Sequence, residues 1–569
     1  MILMPKVGLQ AREALHARRF RRALADPRAT QSHLLLDLVR RNAGAAFGRE
    51  HGFGGIRGPA DFAARVLVRD YEGFRPWVDR IVGGEDGVLT SDPVTMFAST
   101  SGTTAEPKLI PVTDRWRAQM PALMRLWMHR TLDDHPRFLD HRVLLVASAA
   151  VEGTTARGVP IGSLSGQSYQ RIPRLVRRSY AVPDVVALVE DPDTRYFLTM
   201  RLALAHRVSS LGTPNPTSLL RLAEAAEARG PDIVRAIAEG KLGVNDRQRA
   251  GLPADLLRHL GAGLRPDPGR ARFLEGVLTE HGALRPGPCW PDLDVIGCWL
   301  GGSAGLHAGR LTEHFGATAQ RDLGLLATEG RMTIPVADAT AAGPLAVHAT
   351  YFELIPEEDL DASSPTVLGA HELELGRRYA ILLTGGNGLY RYDINDIVEV
   401  RGFCGATPAV AFVRKGRDMV SITGEKLHLN HVQAAVTQAS RGTGLAVREL
   451  RLIPDAEACR HDLLVEFHGQ PPDRAGMLAF LSAFDRALQA GNPEYRSKRT
   501  SGRLLPPQLS AMGPGWSERT CLAELRGRRR EAQHKWRAMG VPWDESSRAA
   551  VVASVALASP PVDGATAPG

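Results

Sequence analysis

The chain has 569 residues, more than one ordinary core can organise, so two or more domains are expected, and its 44% hydrophobic content is that of a globular protein with a large core. The formal charge of +8 is a small excess of 70 basic over 62 acidic side chains, interspersed along most of the chain, and it argues for neither a nucleic acid nor a membrane as partner. Five cysteines, Cys289, Cys298, Cys404, Cys459 and Cys521, form no CxxC pair, which argues against a disulfide framework or a zinc site and fits a reducing cytoplasm. The N-terminal MILMPKVGLQAREALHARRF is basic and amphipathic, lacks a signal-peptide core and cleavage site, and reads as a first helix. The longest apolar runs, Val143 to Val151 and Ala549 to Ala558, fall short of the roughly 20 residues of a membrane span.

Residues 1 to about 95 read as amphipathic helices and a turn-rich lead into a first strand. The next stretch, Phe97 to Thr113 (FASTSGTTAEPKLIPVT), places the hydroxyls of Thr100, Ser101, Thr103 and Thr104 around Gly102, with Lys108 following. Hydroxyls, a flexible glycine and one movable ammonium between two apolar runs suit a polyphosphate-binding loop joining two strands. The same composition also fits an ordinary Ser/Thr/Gly turn that binds nothing. A Walker loop is excluded, because Lys108 is followed by Leu109 and Ile110 and not by a helix-opening Ser or Thr. Only seven lysines occur, at 6, 108, 241, 415, 426, 498 and 535, so arginine is the default base and each lysine marks a place where a compact charge matters.

Asp114 to Leu132 has helical spacing, with Trp116, Leu123, Leu126 and Trp127 on a face that suits core or the wall of an acyl pocket. Arg142 to Ala150 reads as a buried strand, and Gly153 to Tyr180, rich in Gly, Ser and Arg, as a loop bordering a ligand cavity; its serines lack the G-x-S-x-G frame of a nucleophile. Helical patterns run through Val185 to Ser210, Pro216 to Ile237 and Leu252 to Gly282. Ile296 to Leu300 and Leu323 to Leu326 read as short buried strands ending in Gly301-Gly302-Ser303 and Thr328-Glu329-Gly330. Such strand ends are where ligands meet an α/β sheet, although Thr328 also fits a helix N-cap.

Tyr351 to Ile355 is a strand, and Tyr379 to Thr384, GGNG and Leu389 to Val400 make a hairpin. Asp393 and Asp396 near its end suit either a buried carboxylate accepting two ribose hydroxyls or a turn-capping pair. Val413 to Leu427 (VRKGRDMVSITGEKL) reads as an exposed hairpin. Beyond it a smaller α+β unit follows, with helices at Asn430 to Gln438 and Ala475 to Ala490, a strand at Leu463 to Phe467, and a basic stretch to Trp536 whose RGRRR at 526 to 530 suits a solvated helix face. Ser546 to Gly569 is nearly uncharged Ala, Ser, Pro, Val and Gly and is expected to be a disordered tail.

The ordered set TSGTTAEPK, LLATEG, YFELIP, GLYRYDINDIVEV and RKGRDMVSITGEK resembles the Gretchen Hagen three (auxin-responsive promoter) family of acyl acid amido synthetases, a branch of the adenylate-forming superfamily. The likeness runs from about residue 20 to about 540. It implies an α/β fold: a large N-terminal adenylate-forming domain, residues 1–413, with β-sheets and flanking helices, and a smaller mobile α+β C-terminal domain, residues 414–545, before the tail at 546–569. It also implies a ligase that uses ATP and Mg²⁺ to adenylate a carboxylic acid, releases pyrophosphate, and passes the acyl group to an amine such as an amino acid. A cytoplasmic monomer with only small-molecule partners is expected. The rival readings are an acid–thiol ligase making an acyl-CoA and a catalytically silent relative that binds an acyl acid or nucleotide.

By resemblance, Thr100, Ser101, Gly102, Thr103, Thr104 and Lys108 hold phosphates, Thr328 meets the nucleotide phosphate, and Glu329 helps hold Mg²⁺. Asp396 matches the ribose-binding Asp, Arg414 the Arg before a hinge near Asp418, and Lys426 and Lys535 the family's two C-terminal lysines. Four positions depart from the family pattern: Ala105 and Asn395 stand for glycines, Leu325 for an aromatic that stacks on adenine, and Leu429 for a Glu.

Overall fold

The strand Val94–Thr100 turns back antiparallel on Lys108–Thr113, with Phe97 opposite Pro111 and Thr100 opposite Lys108. In this computed structural model the described residues are 16–100, 108–146, 150–360, 362, 364–416, 419–420, 422–423, 425, 427–500, 502–525 and 536–557. They divide into two units, one up to Val413 and one from Arg414 on. Among the described residues no helix is long and apolar enough to cross a membrane.

Three larger sheets and one two-stranded hairpin build the described part of the first unit. The hairpin just described is extended by Pro160–Gly162, parallel to Val94–Thr100, and then Gly153–Thr154. A second sheet is all parallel, in the order Arg142–Leu145, Val208–Gly212, Val295–Cys298, Ala319–Asp322. Its crossovers include the helices Pro192–Leu204, Pro216–Ala228 and Pro268–His281, whose buried Phe197, Leu219, Leu222 and Leu274 share one core with Leu211 and Ile296 of the strands. The third sheet has the order Gly343–Pro344, Thr407–Lys415, Tyr392–Cys404, Arg378–Thr384, Tyr351–Pro356, Leu368–Gly369.

Helix Tyr71–Val82 shows why the local sequence folds as it does. Asp70 caps it by accepting from the Gly73 N–H at 3.2 Å, and Tyr71, Phe74, Val78 and Ile81, at helical spacing, turn into the core. There Phe74 meets Tyr392 edge-on, with centroids 6.0 Å apart, and Phe47 stacks on Tyr390 at 5.0 Å. Each such fully buried aromatic contributes on the order of 1.5–3 kcal/mol.

The second unit is a four-stranded sheet, Val447–Asp455, Arg460–Phe467, Gln508–Met512, Val551–Ala556, with helices Leu429–Thr443 and Arg474–Gly491 sharing its core. Its buried polar network runs from Arg499, whose guanidinium donates two bonds to Asp485, to Tyr495, whose hydroxyl donates to the same carboxylate at 2.7 Å. Met419–Val420 pairs antiparallel with Leu427–His428, but Val420 and Leu427 are buried in the core of this unit, so the hairpin expected to be exposed turns an apolar face inward.

Several expectations are corrected. The expected tail does not begin at Ser546: Glu545–Ala549 is a helix capped by Asp544, and Val551–Ala556 pairs antiparallel with Gln508–Met512, burying Val555. A valine-rich, charge-poor run has the composition of a disordered tail, but the same composition suits a strand once a neighbouring edge is present. Residues 558–569 lie outside the described residues, as does RGRRR at 526–530. Gly153 to Tyr180 is not mainly loop, because Ser163 caps a helix at Leu164–Gln170 through the Gly166 N–H. Val208–Gly212, read as the end of a helical pattern, is a central parallel strand.

Candidate functional site

Thr100 pairs with Lys108 at the base of the candidate phosphate loop. Ser101, Gly102, Thr103 and Thr104 lie outside the described residues. Lys108 Nζ stands 5.5 Å from the centroid of the Tyr71 ring, a cation–π contact that holds the ammonium at the loop's foot. Tyr71 in turn is fixed to the strand, its hydroxyl accepting from the Leu109 N–H at 2.7 Å. Burial, first among several causes, raises the Tyr71 pKa.

Thr328 and Glu329 occupy the tip of a two-residue hairpin between Leu326–Ala327 and Gly330–Arg331, and not a helix N-cap. The strand before it is Ala319–Asp322, upstream of the expected Leu323 to Leu326. The hairpin's stem is closed by Leu325, whose N–H donates to Thr333 Oγ1 at 2.7 Å and whose carbonyl accepts from Met332. Below it, Asp322 ties the carboxyl ends of two parallel strands together, accepting from the backbone N–H groups of Leu300 and Gly324, each at 2.6 Å. Burial pushes the Asp322 carboxyl up to about 6, against those two donors and the nearby Arg331, which favour its charged form.

Two groups from the following hairpin reach the Thr328-Glu329 turn. Tyr392 donates from its hydroxyl to Glu329 Oε1 at 3.2 Å, and Asn387, in the GGNG turn, donates from Nδ2 to the Glu329 carbonyl at 3.4 Å. Burial, with the Glu329 charge next, raises the Tyr392 pKa far above that of a free phenol, so Tyr392 is a donor at every ordinary pH. Neither residue was singled out from sequence, although both lie in GGNGLYRY. A polar residue in a turn and a tyrosine in a strand have commonplace structural uses, and only the fold aims them at Glu329.

Asp396 follows Tyr392 on the same strand and is 3% exposed. The pairing explains its placement: Ala380 faces Ile397 while Leu382 faces Asp393, so Ile394, Asn395 and Asp396 bulge from the ladder. Asn395 takes φ 61°, and its N–H donates to Asp393 Oδ1 at 2.7 Å. Asp393 is thus the capping member of the acidic pair and Asp396 the buried one. After glycine, Asn is among the residues best able to take the left-handed region.

At the end of Val295–Cys298, Gly302 takes φ 58°, and a Cβ there would lie 2.8 Å from the Phe412 ring, so glycine is required by both backbone and neighbour. Trp127 is core: it is 3% exposed, and its indole N–H donates to the Asp322 carbonyl at 2.8 Å. Thus the first unit holds Thr100, Lys108, Thr328, Glu329 and Asp396. Arg414 belongs to the second unit, where it is buried and donates to the carbonyls of Lys415 and Gly416. Lys426, Lys535 and Asp418 lie outside the described residues.

Comparison with known proteins gives an ordered match. The GH3 family N-terminal, central and C-terminal domain models match residues 16–319, 343–415 and 430–539. The chain is similar to the Arabidopsis thaliana protein named indole-3-acetic acid-amido synthetase GH3.3, 23% identical over 509 residues, covering 84% of this chain and 83% of the relative. It is also similar to the probable indole-3-acetic acid-amido synthetase GH3.2 of Oryza sativa subsp. japonica, 26% identical over 528 residues, 86% and 84% of the two chains. Among solved structures, GH3.15 acyl acid amido synthetase superposes with a TM-score of 0.82 at 20% identity, over 94% of this chain and 95% of its own. A 2-hydroxyisobutyryl-CoA ligase in the postadenylation state, in complex with R3-HIB-AMP, gives 0.51 at 15% identity, over 91% and 90%. These likenesses show that the chain shares the fold of GH3.15 and, more distantly, of this ligase.

Proposed function

Since the chain belongs to the GH3 family, we propose that it is an ATP-dependent acyl acid amido synthetase, which adenylates a carboxylic acid with release of pyrophosphate and then transfers the acyl group to an amine, giving an amide and AMP. The observation that carries this reading is the match of all three family domains in order along one chain. The placement of Lys108, Thr328, Glu329 and Asp396 in the first unit supports it.

No protein nucleophile is needed. Acyl transfer to phosphate depends on holding two anions in line and neutralising the charge that develops on the leaving pyrophosphate. Lys108, steadied by Tyr71 at the loop's foot, supplies that charge, and Thr100, Ser101, Gly102, Thr103 and Thr104 hold the phosphates. Thr328 orients a phosphate from the hairpin tip, and Asp396 accepts the ribose hydroxyls from its bulge. Arg414, Asp418, Lys426 and Lys535 belong to a C-terminal domain that starts at Arg414 and includes the strand Val551–Ala556, and that reorients between adenylation and amide formation, with Lys535 serving the first step.

Magnesium, when bound, screens the phosphate charge during adenylation. Among the described residues no group of three or more His, Cys, Asp or Glu is arranged to hold a metal alone. One half-buried carboxylate, Glu329, with a neighbouring hydroxyl, Thr328, at a hairpin tip is a fitting donor set for a hard cation that takes its remaining ligands from phosphates and water.

The acid is an aryl or alkyl carboxylate. Relatives are named for indole-3-acetic acid, and a GH3.15 structure holds 2,4-DB, so both belong in the first screen. The test is pyrophosphate release over aryl and alkyl acids crossed with amino acids and with coenzyme A. Release that depends on acid and is stimulated by an amino acid supports the reading; stimulation by coenzyme A alone overturns it.

A further inference from the structure

Glu329 is held at two points by one hairpin. Its main-chain carbonyl accepts from Asn387 Nδ2, and its Oε1 accepts from the Tyr392 hydroxyl at 3.2 Å. Oε2 accepts no hydrogen bond among the described residues. The two tethers come from unlike places, a turn and a bulged strand, and both donors are buried: Asn387 is 1% exposed and Tyr392 0%. The Asn387 carboxamide cannot be reversed, because its oxygen would then face the Glu329 carbonyl.

A carboxylate at the tip of a two-residue hairpin is otherwise free to rotate about its three side-chain torsions. Fixing one oxygen with a neutral, buried donor leaves the other aimed in one direction without cancelling the negative charge. A lysine or arginine in Tyr392's place would fix the oxygen equally well but neutralise it. Phe74 packs edge-on against the Tyr392 ring at 6.0 Å, so the phenol cannot swing away.

We propose that Tyr392 is a positioning residue for cation binding: through its hydroxyl it holds Glu329 Oε1, so that Oε2 is presented to the magnesium of the bound nucleotide, with Asn387 fixing the turn that carries it. This rests on the adenylating reading of the site, but its test does not require amide formation. Partners that orient a liganding carboxylate change metal affinity by about 10- to 100-fold when removed.

The experiment measures Mn²⁺ binding by electron paramagnetic resonance in the presence of ATP, for the wild type, Tyr392→Phe, Glu329→Gln and the double variant. Tyr392→Phe should weaken Mn²⁺ about tenfold while leaving metal-free ATP affinity within about twofold, and should add nothing in the Glu329→Gln background. Unchanged Mn²⁺ affinity in Tyr392→Phe, or an equal loss in both backgrounds, would overturn the proposal. Should Tyr392→Phe not fold, Glu329→Asp draws the carboxylate away from the hydroxyl and keeps its charge. It is expected to weaken Mn²⁺ about as much, and wild-type affinity there also overturns the proposal. If Mn²⁺ behaves as expected but no amine is ever acylated, the proposed function fails and this inference stands.

Discussion

The backbone N–H of Asn395 donates a 2.7 Å hydrogen bond to Asp393 Oδ1 while Asn395 itself stands at φ 61°, and this turn within a strand delivers the buried Asp396. Asn395→Gly should therefore leave stability within about 0.5 kcal/mol, since glycine enters this region without steric cost. Asn395→Val, β-branched at positive φ, should cost about 1–2 kcal/mol and weaken ATP binding by shifting Asp396. Thermal unfolding and calorimetric titration check both, and equal behaviour of the two variants would count against the strain.

Asp396→Ala should weaken ATP binding more than Lys108→Ala. In the proposed roles, the buried Asp396 carboxylate binds two ribose hydroxyls and fixes the ground state, whereas Lys108 acts mainly as charge develops on pyrophosphate. Lys108→Ala should instead lower the adenylation rate, by about 10²-fold for one lost electrostatic donor. Equal losses of nucleotide affinity in the two variants would contradict this division.

The two half-reactions separate the roles of the C-terminal domain. Lys535→Ala should slow adenylate formation, read by pyrophosphate release, and spare amide formation from a synthetic acyl-adenylate. If both steps suffered equally, Lys535 would be structural. Asp418→Pro, which removes backbone freedom at the proposed hinge, should slow whichever step needs reorientation and leave ATP affinity nearly intact.

In the second unit, burial tends to raise the Glu425 pKa. Hydrogen bonds from His461 Nε2 at 2.9 Å and from the backbone N–H groups of Thr423 at 2.7 Å and Ile422 at 2.8 Å outweigh it and bring the carboxyl down to about 2. A folded pKa below the unfolded one stabilises the fold at neutral pH, and that contribution is lost as pH falls from about 4.5 toward 2. Glu425→Gln should cost about 2–3 kcal/mol at pH 7, and its difference from wild type should narrow across that window. A difference independent of pH would show that charge is not the cause.

Much of this architecture was legible from residues. The Val94–Thr113 hairpin, the YFELIP strand, the strand that follows GGNG and the Thr-Glu turn carry apolar periodicity or distinctive polar spacing, although the strand after GGNG begins at Tyr392 and not at Leu389. What escaped was polar at its centre. Val208–Gly212 buries Ser209 and Ser210, and Ala319–Asp322 buries Arg321 and Asp322. Parallel strands are recognised by apolar runs, and these spend buried positions on hydrogen bonds and ion pairs, such as Arg321 with Asp134 and Asp338, each at 2.7 Å. Tyr392 escaped for a different reason, because its role depends on which loop faces its hydroxyl, and that contact joins residues 63 positions apart.

The central claim, that this chain makes an amide through an acyl-adenylate, is tested most directly by mass spectrometry of the products formed from one accepted acid, ATP and a mixture of amino acids with coenzyme A. The account predicts an acyl–amino acid amide and AMP in equal amounts, with no acyl-CoA. An acyl-CoA without any amide would contradict it.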